Sequence, residues 1–523
     1  RNIAMFPESL TDAQRHSDDL VALGNLVKTP RANVIKLPNI SASVPQLKAA
    51  IRELQSQGYD LPDYPETPKN NKEELARERY DTVKGSAVNP ILREGNSDRR
   101  AARAVKNYAM QHPHKMGVWQ KDSATHVVSM PKGDFVSNEK SVTVSEEQVG
   151  PLKIVFESQQ GQQTVLKDGL DITTGTVVDA TFMSVAVLRS FIAEQFADAG
   201  AKDILFSVHL KATMMKVADP IIFGHVVSVL LEDFISKHQT VLDSVGFNPN
   251  LGLSDLEQRL ASLPTDQRFE LENDLATTLA DQPRLYTVDS NRGISNLHVS
   301  SDVIIDASMP ALIRAGGRAW GPDGREDDCK CVIPDSSYAP IYDESINFFK
   351  AHGALDPTSC GNVSNVGLMA QKAEEYGSHP TTFEMPETGI MRVMAANGDV
   401  LHEHRVGAGD IWRMATTKPA PIADWVRLGV ARQKATGADA VFWLNAERAH
   451  DAQLISYVEK ILADDGADRT AIHIMAPRQA TNFTLKTITA GKDCISITGN
   501  VLRDYLTDLF PILELGTSAK MLS

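Results

Sequence analysis

Two spacings of apolar residues recur along the chain, period two and period three to four, with turn residues between them. Asn33-Val-Ile-Lys-Leu37 reads as a strand. Ser43 follows as a helix cap with Pro45 in the first turn, and the helix is expected to end at Gly58. The intervening loop, Pro38-Asn39-Ile40-Ser41, therefore lies where strand ends and helix N-termini gather, a usual place for phosphate or amide ligands. From Leu205 to Ala212, residues 206, 208, 210 and 212 are apolar, which predicts a strand with Lys211 on its polar face. Val303-Ile-Ile-Asp306 reads as an apolar strand with Asp306 at its carboxyl end and Ser308 and Pro310 opening the next helix. Cys494-Ile-Ser-Ile-Thr498 reads as another strand, followed by a Gly-Asn turn and a helix running to Pro511. This alternation predicts α/β lobes with largely parallel or mixed sheets flanked by helices.

Other stretches mark the organisation. Residues 59 to 80, rich in Pro, Asn, Lys and Glu, read as a surface connection. A boundary is expected just after Ser97, with Ser97 capping a helix that opens at Asp98-Arg99-Arg100. Leu251 to Gln282 reads as a helical surface excursion within the larger lobe, and Pro220 to Leu231 as a buried helix too short to span a bilayer.

A chain of 523 residues with 42% hydrophobic content is expected to form two or more lobes. Its net charge of -14 argues against nucleic acid as the main partner, because a polyanion surface needs a dominant positive field. Four irregularly spaced cysteines fit a reducing compartment, so the cytoplasm is expected, and no export signal opens the chain. No membrane partner is expected. The start at Arg1 and the stop at Ser523, directly after a dense functional segment, suggest a fragment cut at both ends.

Candidate chemistry clusters in a few places. Asp504 and Asp508 stand four apart on one helical face, either a solvated acidic face or two ligands whose repulsion a cation would relieve. Asp306 is either an ordinary residue of a strand-helix turn or the third of three carboxylates that would suit Mg²⁺ or Mn²⁺, hard cations that prefer oxygen. Ser86, Asn89, Arg93 and Arg99 lie in a Gly-containing stretch that is either a chance surface cluster or a polyanion-binding loop whose two arginine forks suit carboxylates. Lys211 is either a solvated lysine or, desolvated near a metal, an acid or base. Tyr376, after the helical Leu368 to Glu375, could donate a phenolic proton or simply pack. Cys329-Lys-Cys331 with Cys360 lacks zinc-site spacing, and His402-Glu-His404 alone is weak ground for a metal. No GxGxxG, P-loop or GxSxG motif is present.

The strings Lys36 to Pro45, Asn89 to Arg100, Arg503 to Asp508 and Leu513 to Lys520 resemble the monomeric NADP-dependent isocitrate dehydrogenases over almost the whole chain. The resemblance implies a two-lobed, isocitrate/isopropylmalate dehydrogenase-like α/β fold without a Rossmann fingerprint. Residues 1–98 would belong to a smaller lobe built from both chain ends, and 99–523 to the large substrate- and metal-binding lobe. It implies that Ser86, Asn89, Arg93, Arg99, Lys211, Tyr376 and Arg503 hold isocitrate, and that Lys211 and Tyr376 share the proton transfers. Asp306, Asp504 and Asp508 would ligate Mg²⁺ or Mn²⁺, and Asn39 and Ser41 would contact NADP. The implied reaction is oxidative decarboxylation of isocitrate to 2-oxoglutarate, a step of the tricarboxylic acid cycle, by a monomer. Residues that read the 2'-phosphate would lie beyond Ser523, so the preference for NADP is inherited from the resemblance. A metal-dependent lyase acting on a carboxylate, or a citrate-type anion-binding protein, are the competing readings.

Overall fold

The computed structural model describes residues 2–27, 41–42, 44–65, 68–81, 85–86, 95–211, 218–370 and 381–522. It divides into two compact units, the first comprising Arg1–Ser97, Met369–Lys372 and Leu522–Ser523, the second Asp98–Leu368 and Ala373–Met521. The expected strand at 33–37 lies outside the described residues.

In the first unit the helix Val44–Ser56 presents Leu47 and Ile51, one turn apart, to a small core completed by Phe6, Leu10, Leu61, Tyr64, Ala76 and Tyr80. The stretch 59–80 is therefore not merely a surface connection. Its few apolar residues are the anchors of this core, and the helix Asn71–Asp81 carries Ala76 and Tyr80 inward. The buried hydroxyls are satisfied, Tyr80 donating to Pro62 O (2.6 Å) and Tyr64 to Asp81 Oδ1 (2.9 Å). Two short strands, Ser41–Ala42 and Gly85–Ser86, pair antiparallel with Ser41 opposite Ser86.

The second unit is built around a sheet whose strands run Ile472–Met475, Asp439–Trp443, Cys494–Gly499, Val363–Leu368 and Ser97–Ala101 in spatial order. The first four are mutually parallel. Both faces are covered: Ala440, Phe442, Ile495 and Ile497 pack under Trp425 and Leu454, while Val441, Trp443 and Cys494 face Leu485, Leu502 and Leu509. A second sheet sets Glu326–Val332 between His126–Val128 and Leu205–Val208, all parallel, with Arg318–Trp320 antiparallel at one end. Two further four-stranded sheets, antiparallel throughout, enclose a core of Phe156, Met391, Trp412 and Met414. The fold is mixed α/β.

Several boundaries differ from those read in the sequence. Ser97–Ala101 is a strand, not a capped helix start; Asp98 turns to Arg432, and the helix begins only at Arg103. Leu368 ends a strand instead of opening a helix. The helix after Cys494–Gly499 runs Asn500–Leu515, passing through Pro511, because Phe510, Leu513 and Leu515 are buried and tertiary packing outweighs the missing amide. Residues 251–282 do form helices, Leu253–Leu260 and Thr265–Ala280, but Leu253, Leu256, Leu260 and Leu271 enter a core shared with the buried helix Asp219–Leu230.

Candidate functional site

The helix Asn500–Leu515 buries Leu502, Leu506, Leu509, Phe510 and Leu513, which fixes its rotation about its own axis. Asp504 and Asp508 are thereby set on the flank that meets the helix Ile305–Arg314. Asp306 lies in the first turn of that second helix, where the helix dipole favours a carboxylate. No strand precedes it: Ser300–Val303 is a 3₁₀ turn, so the expected strand end at Asp306 is replaced by a turn-to-helix junction. The strand before Lys211 also stops early, at Val208, and residues 205 to 210 are buried on both faces, so no polar face exists for Lys211 to occupy. Leu210 N–H donates to Val303 O (2.9 Å) and Ile305 N–H donates to Leu210 O (2.8 Å). That clamp holds Lys211 beside the start of the second helix.

The Lys211 ammonium donates to both oxygens of Asp306 at 2.9 Å and lies 3.1 Å from Asp504 Oδ2. Burial disfavours its charge, but Asp504 and Asp306 outweigh burial and hold the ammonium above its ordinary pKa. Asp306 is pushed up, by burial first, with the Asp504 charge adding to the effect and Lys211 opposing it. Asp504 is held well below the carboxylate range: burial acts against ionisation, yet Arg503, Lys211 and Arg99 together prevail. Asp508 is pushed up to about 6 by burial, opposed by a Ser518 hydrogen bond and reinforced by Asp306 and Asp504.

Arg503 Nη2 donates to Asp504 Oδ1, and the residue is only 5% exposed. Its Nε and Nη1 are buried without a partner among the described residues. Unmatched buried guanidinium donors are costly, and they are the groups an anionic oxygen would satisfy. Arg99 approaches the same helix, donating to Thr507 Oγ1 (3.3 Å), which itself donates to Asp504 O (3.0 Å). Burial, followed by the like charge of Arg503, lowers its pKa.

Among the predicted residues, Arg99, Lys211, Asp306, Arg503, Asp504 and Asp508 are thus gathered in one neighbourhood of the second unit. Asn39, Asn89, Arg93 and Tyr376 lie outside the described residues, as do the side chains of Ser41 and Ser86. Among the described residues no three His, Cys, Asp or Glu side chains already converge as a metal set; Asp306 and Asp504 converge on the Lys211 ammonium instead. In kind the donors fit a hard cation: three carboxylates, of which Asp306 and Asp508 are pushed up by burial first, with the charges of their neighbours adding to it. Tyr505, whose ring lies under Lys211, and Thr507 were not singled out in the sequence, because neither carries a motif.

The features set aside in the sequence are core residues. All four cysteines are buried and free. His402 Nε2 pairs with Val178 O (2.8 Å), and His404 pairs with Asn138 O (3.0 Å) and Trp412 Nε1 (3.2 Å). Among the described residues no helix is long and apolar enough to cross a membrane.

A mixed α/β unit thus gathers carboxylates, a half-buried lysine and an arginine with unmatched donors at adjoining helix termini, the residue types found in enzymes that act on polycarboxylates. The sequence profile described as monomeric isocitrate dehydrogenase matches residues 1–523, and the chain belongs to that family. It is 57% identical to an NADP isocitrate dehydrogenase of Azotobacter vinelandii, over 100% of this chain and 70% of the relative. Relatives of the same description from Corynebacterium glutamicum (53%) and Colwellia maris (51%) show the same coverage. An Ostreococcus tauri isocitrate dehydrogenase solved with isocitrate and magnesium aligns at 10% identity over 31% of this chain and 45% of that one. Its TM-score of 0.24 is too low to bear on the fold.

Proposed function

We propose that this protein oxidatively decarboxylates isocitrate to 2-oxoglutarate and carbon dioxide while reducing NADP, as a monomer in a reducing, cytoplasmic setting. The observation that carries the reading is the Lys211 ammonium bracketed by Asp306 and Asp504, next to the unmatched donors of Arg503. Asp306, Asp504 and Asp508 would hold Mg²⁺ or Mn²⁺, and such an ion supplies Lewis acidity toward the substrate hydroxyl and the developing enolate. Arg503 and Arg99 bind and orient substrate carboxylates, their forks matching two oxygens at a time. Lys211 is assigned to the alcohol oxygen on family grounds; kept charged by its two carboxylates, it can donate a hydrogen bond or a proton there, and would accept the alcohol proton as hydride leaves carbon only after giving up its own. Tyr376 shares the proton transfers, and Ser86, Asn89 and Arg93 complete the isocitrate set on family grounds. Asn39 and Ser41 are assigned to NADP on the same grounds. The proposed lobes, 1–98 and 99–523, would divide these roles.

The test is reduction of NADP and of NAD by the purified protein, followed by absorbance, with isocitrate and either Mg²⁺ or Mn²⁺ and with each omitted in turn. Turnover that requires isocitrate and the ion and favours NADP supports the reading, and the better ion is thereby identified. A folded, ion-loaded protein that reduces neither coenzyme overturns it.

A further inference from the structure

We propose that Tyr505 is a positioning residue for Lys211, its ring face holding the ammonium in line with Asp306 and Asp504; this rests on the role of Lys211 given above. The ammonium lies 4.8 Å from the Tyr505 ring centroid, inside the range in which an aromatic quadrupole attracts a cation. Its contacts to the two Asp306 oxygens and to Asp504 occupy its donors on the carboxylate side. The ring faces the ammonium from another direction. The ring face itself presents no oxygen or nitrogen acceptor, so it attracts the ammonium without redirecting its N–H donors.

The ring is itself held in place. Tyr505 is 2% exposed, packs on Tyr338 with centroids 4.5 Å apart, and meets Tyr342 edge to face at 6.4 Å. Both partners are buried at the N-terminal end of the helix Ala339–His352, so the platform under Lys211 is anchored to an element that carries none of the carboxylates. Among the described residues, the backbone beside Lys211 is secured at Leu210, in the clamp to Val303 and Ile305, which leaves the direction of the long side chain to its own contacts. A lysine with a long flexible stem, held by two carboxylates that also serve a metal ion, would otherwise re-aim whenever those carboxylates change partner. The ring keeps its direction constant. Placement on consecutive residues of one helix also couples the two functions, since Asp504 and Tyr505 move together.

The expected signature is a loss in turnover when the ring is removed and recovery when only the hydroxyl is removed. Tyr505→Leu should lower kcat about tenfold, the scale of a desolvated cation–ring contact, with KM for NADP unchanged. Tyr505→Phe should rescue most of that loss. Tyr505→Met, closer in volume, serves if the leucine variant does not fold, with thermal melting reported for each. Lys211→Met is measured in parallel: wild-type rates in that variant would overturn the role of Lys211, and this inference with it. A nearly inactive Lys211→Met alongside wild-type kcat in Tyr505→Leu or Tyr505→Met would overturn the Tyr505 inference alone. So would a Tyr505→Phe variant as slow as the aliphatic ones, which would place the effect in the hydroxyl.

Discussion

Lys211 and Asp306 form a two-pronged ion pair, one ammonium against both oxygens of one carboxylate at 2.9 Å, and the same ammonium is within 3.1 Å of Asp504. Two carboxylates assigned to a divalent cation are therefore already sharing a monovalent one. A metal ion placed between them competes with Lys211 by simple electrostatics. Lys211→Met is expected to bind Mn²⁺ about tenfold more tightly by calorimetry at pH 8 without isocitrate, while turnover falls at least about a hundredfold for want of the proton-transfer group. Unchanged or weaker Mn²⁺ binding would show that the lysine and the ion do not share the carboxylates.

Asp504 has a structural part to play besides the metal role proposed for it. Its charge is the partner of Arg503 and of Lys211, both mostly buried. Asp504→Asn leaves those cations facing a neutral amide. Breaking a buried pair from one side costs about 3–5 kcal/mol, and partial exposure of Asp504 brings the expectation to about 2–3. Turnover should vanish and Mn²⁺ binding weaken; urea unfolding that matches wild type would remove the structural half of this account.

Arg503→Lys tests the fork. A lysine keeps the charge for Asp504 but cannot present the two further donors that are buried and unmatched. KM for isocitrate should rise about ten- to a hundredfold, with kcat reduced less and KM for NADP untouched. Equal KM values in variant and wild type would mean that those donors meet no carboxylate.

Asp504 and Asp508 were legible in the sequence because helical period is local: four residues apart means one face, whatever the rest of the chain does. The partnership of Lys211 with Asp306 was not, since it joins residues 95 apart and depends on the backbone clamp at Leu210. The strand reading failed at Lys211 for a related reason. Alternation signals a sheet with one wet face, and Leu205–Val208 is buried on both. The same loss of alternation hid the strand Val177–Met183, which is almost wholly buried, whereas Gly389–Met394 and Val400–Val406 in the neighbouring antiparallel sheet do alternate. Ser97 looked like a cap because capping residues are read from type alone, whereas Asp98 is committed to Arg432, far along the chain. The carboxylate-binding role of Arg503 came from family likeness; its unmatched donors are visible only in three dimensions.

The far end of the same helix gives a pH prediction independent of catalysis. Glu514 is fully buried, accepts from Val363 N–H at 2.8 Å through Oε1, and among the described residues has no partner at Oε2. Burial pushes its pKa up to about 8, although Lys106 and the Val363 amide pull it down. The folded protein therefore keeps this proton at neutral pH, while the unfolded chain releases it near the ordinary glutamate value. Between roughly pH 4.5 and 8 the unfolded state binds fewer protons than the folded state, so the Glu514 contribution to stability falls as pH rises, then levels off above the folded pKa. The accumulated loss is a few kcal/mol. Glu514→Gln keeps an acceptor for Val363 but has nothing to titrate, so the stability difference, variant minus wild type, should grow in the variant's favour from pH 5 to pH 8.5. Thermal melts of both proteins across that range decide the matter: parallel curves would mean that Glu514 is ionised in the fold, its charge carried by Lys106.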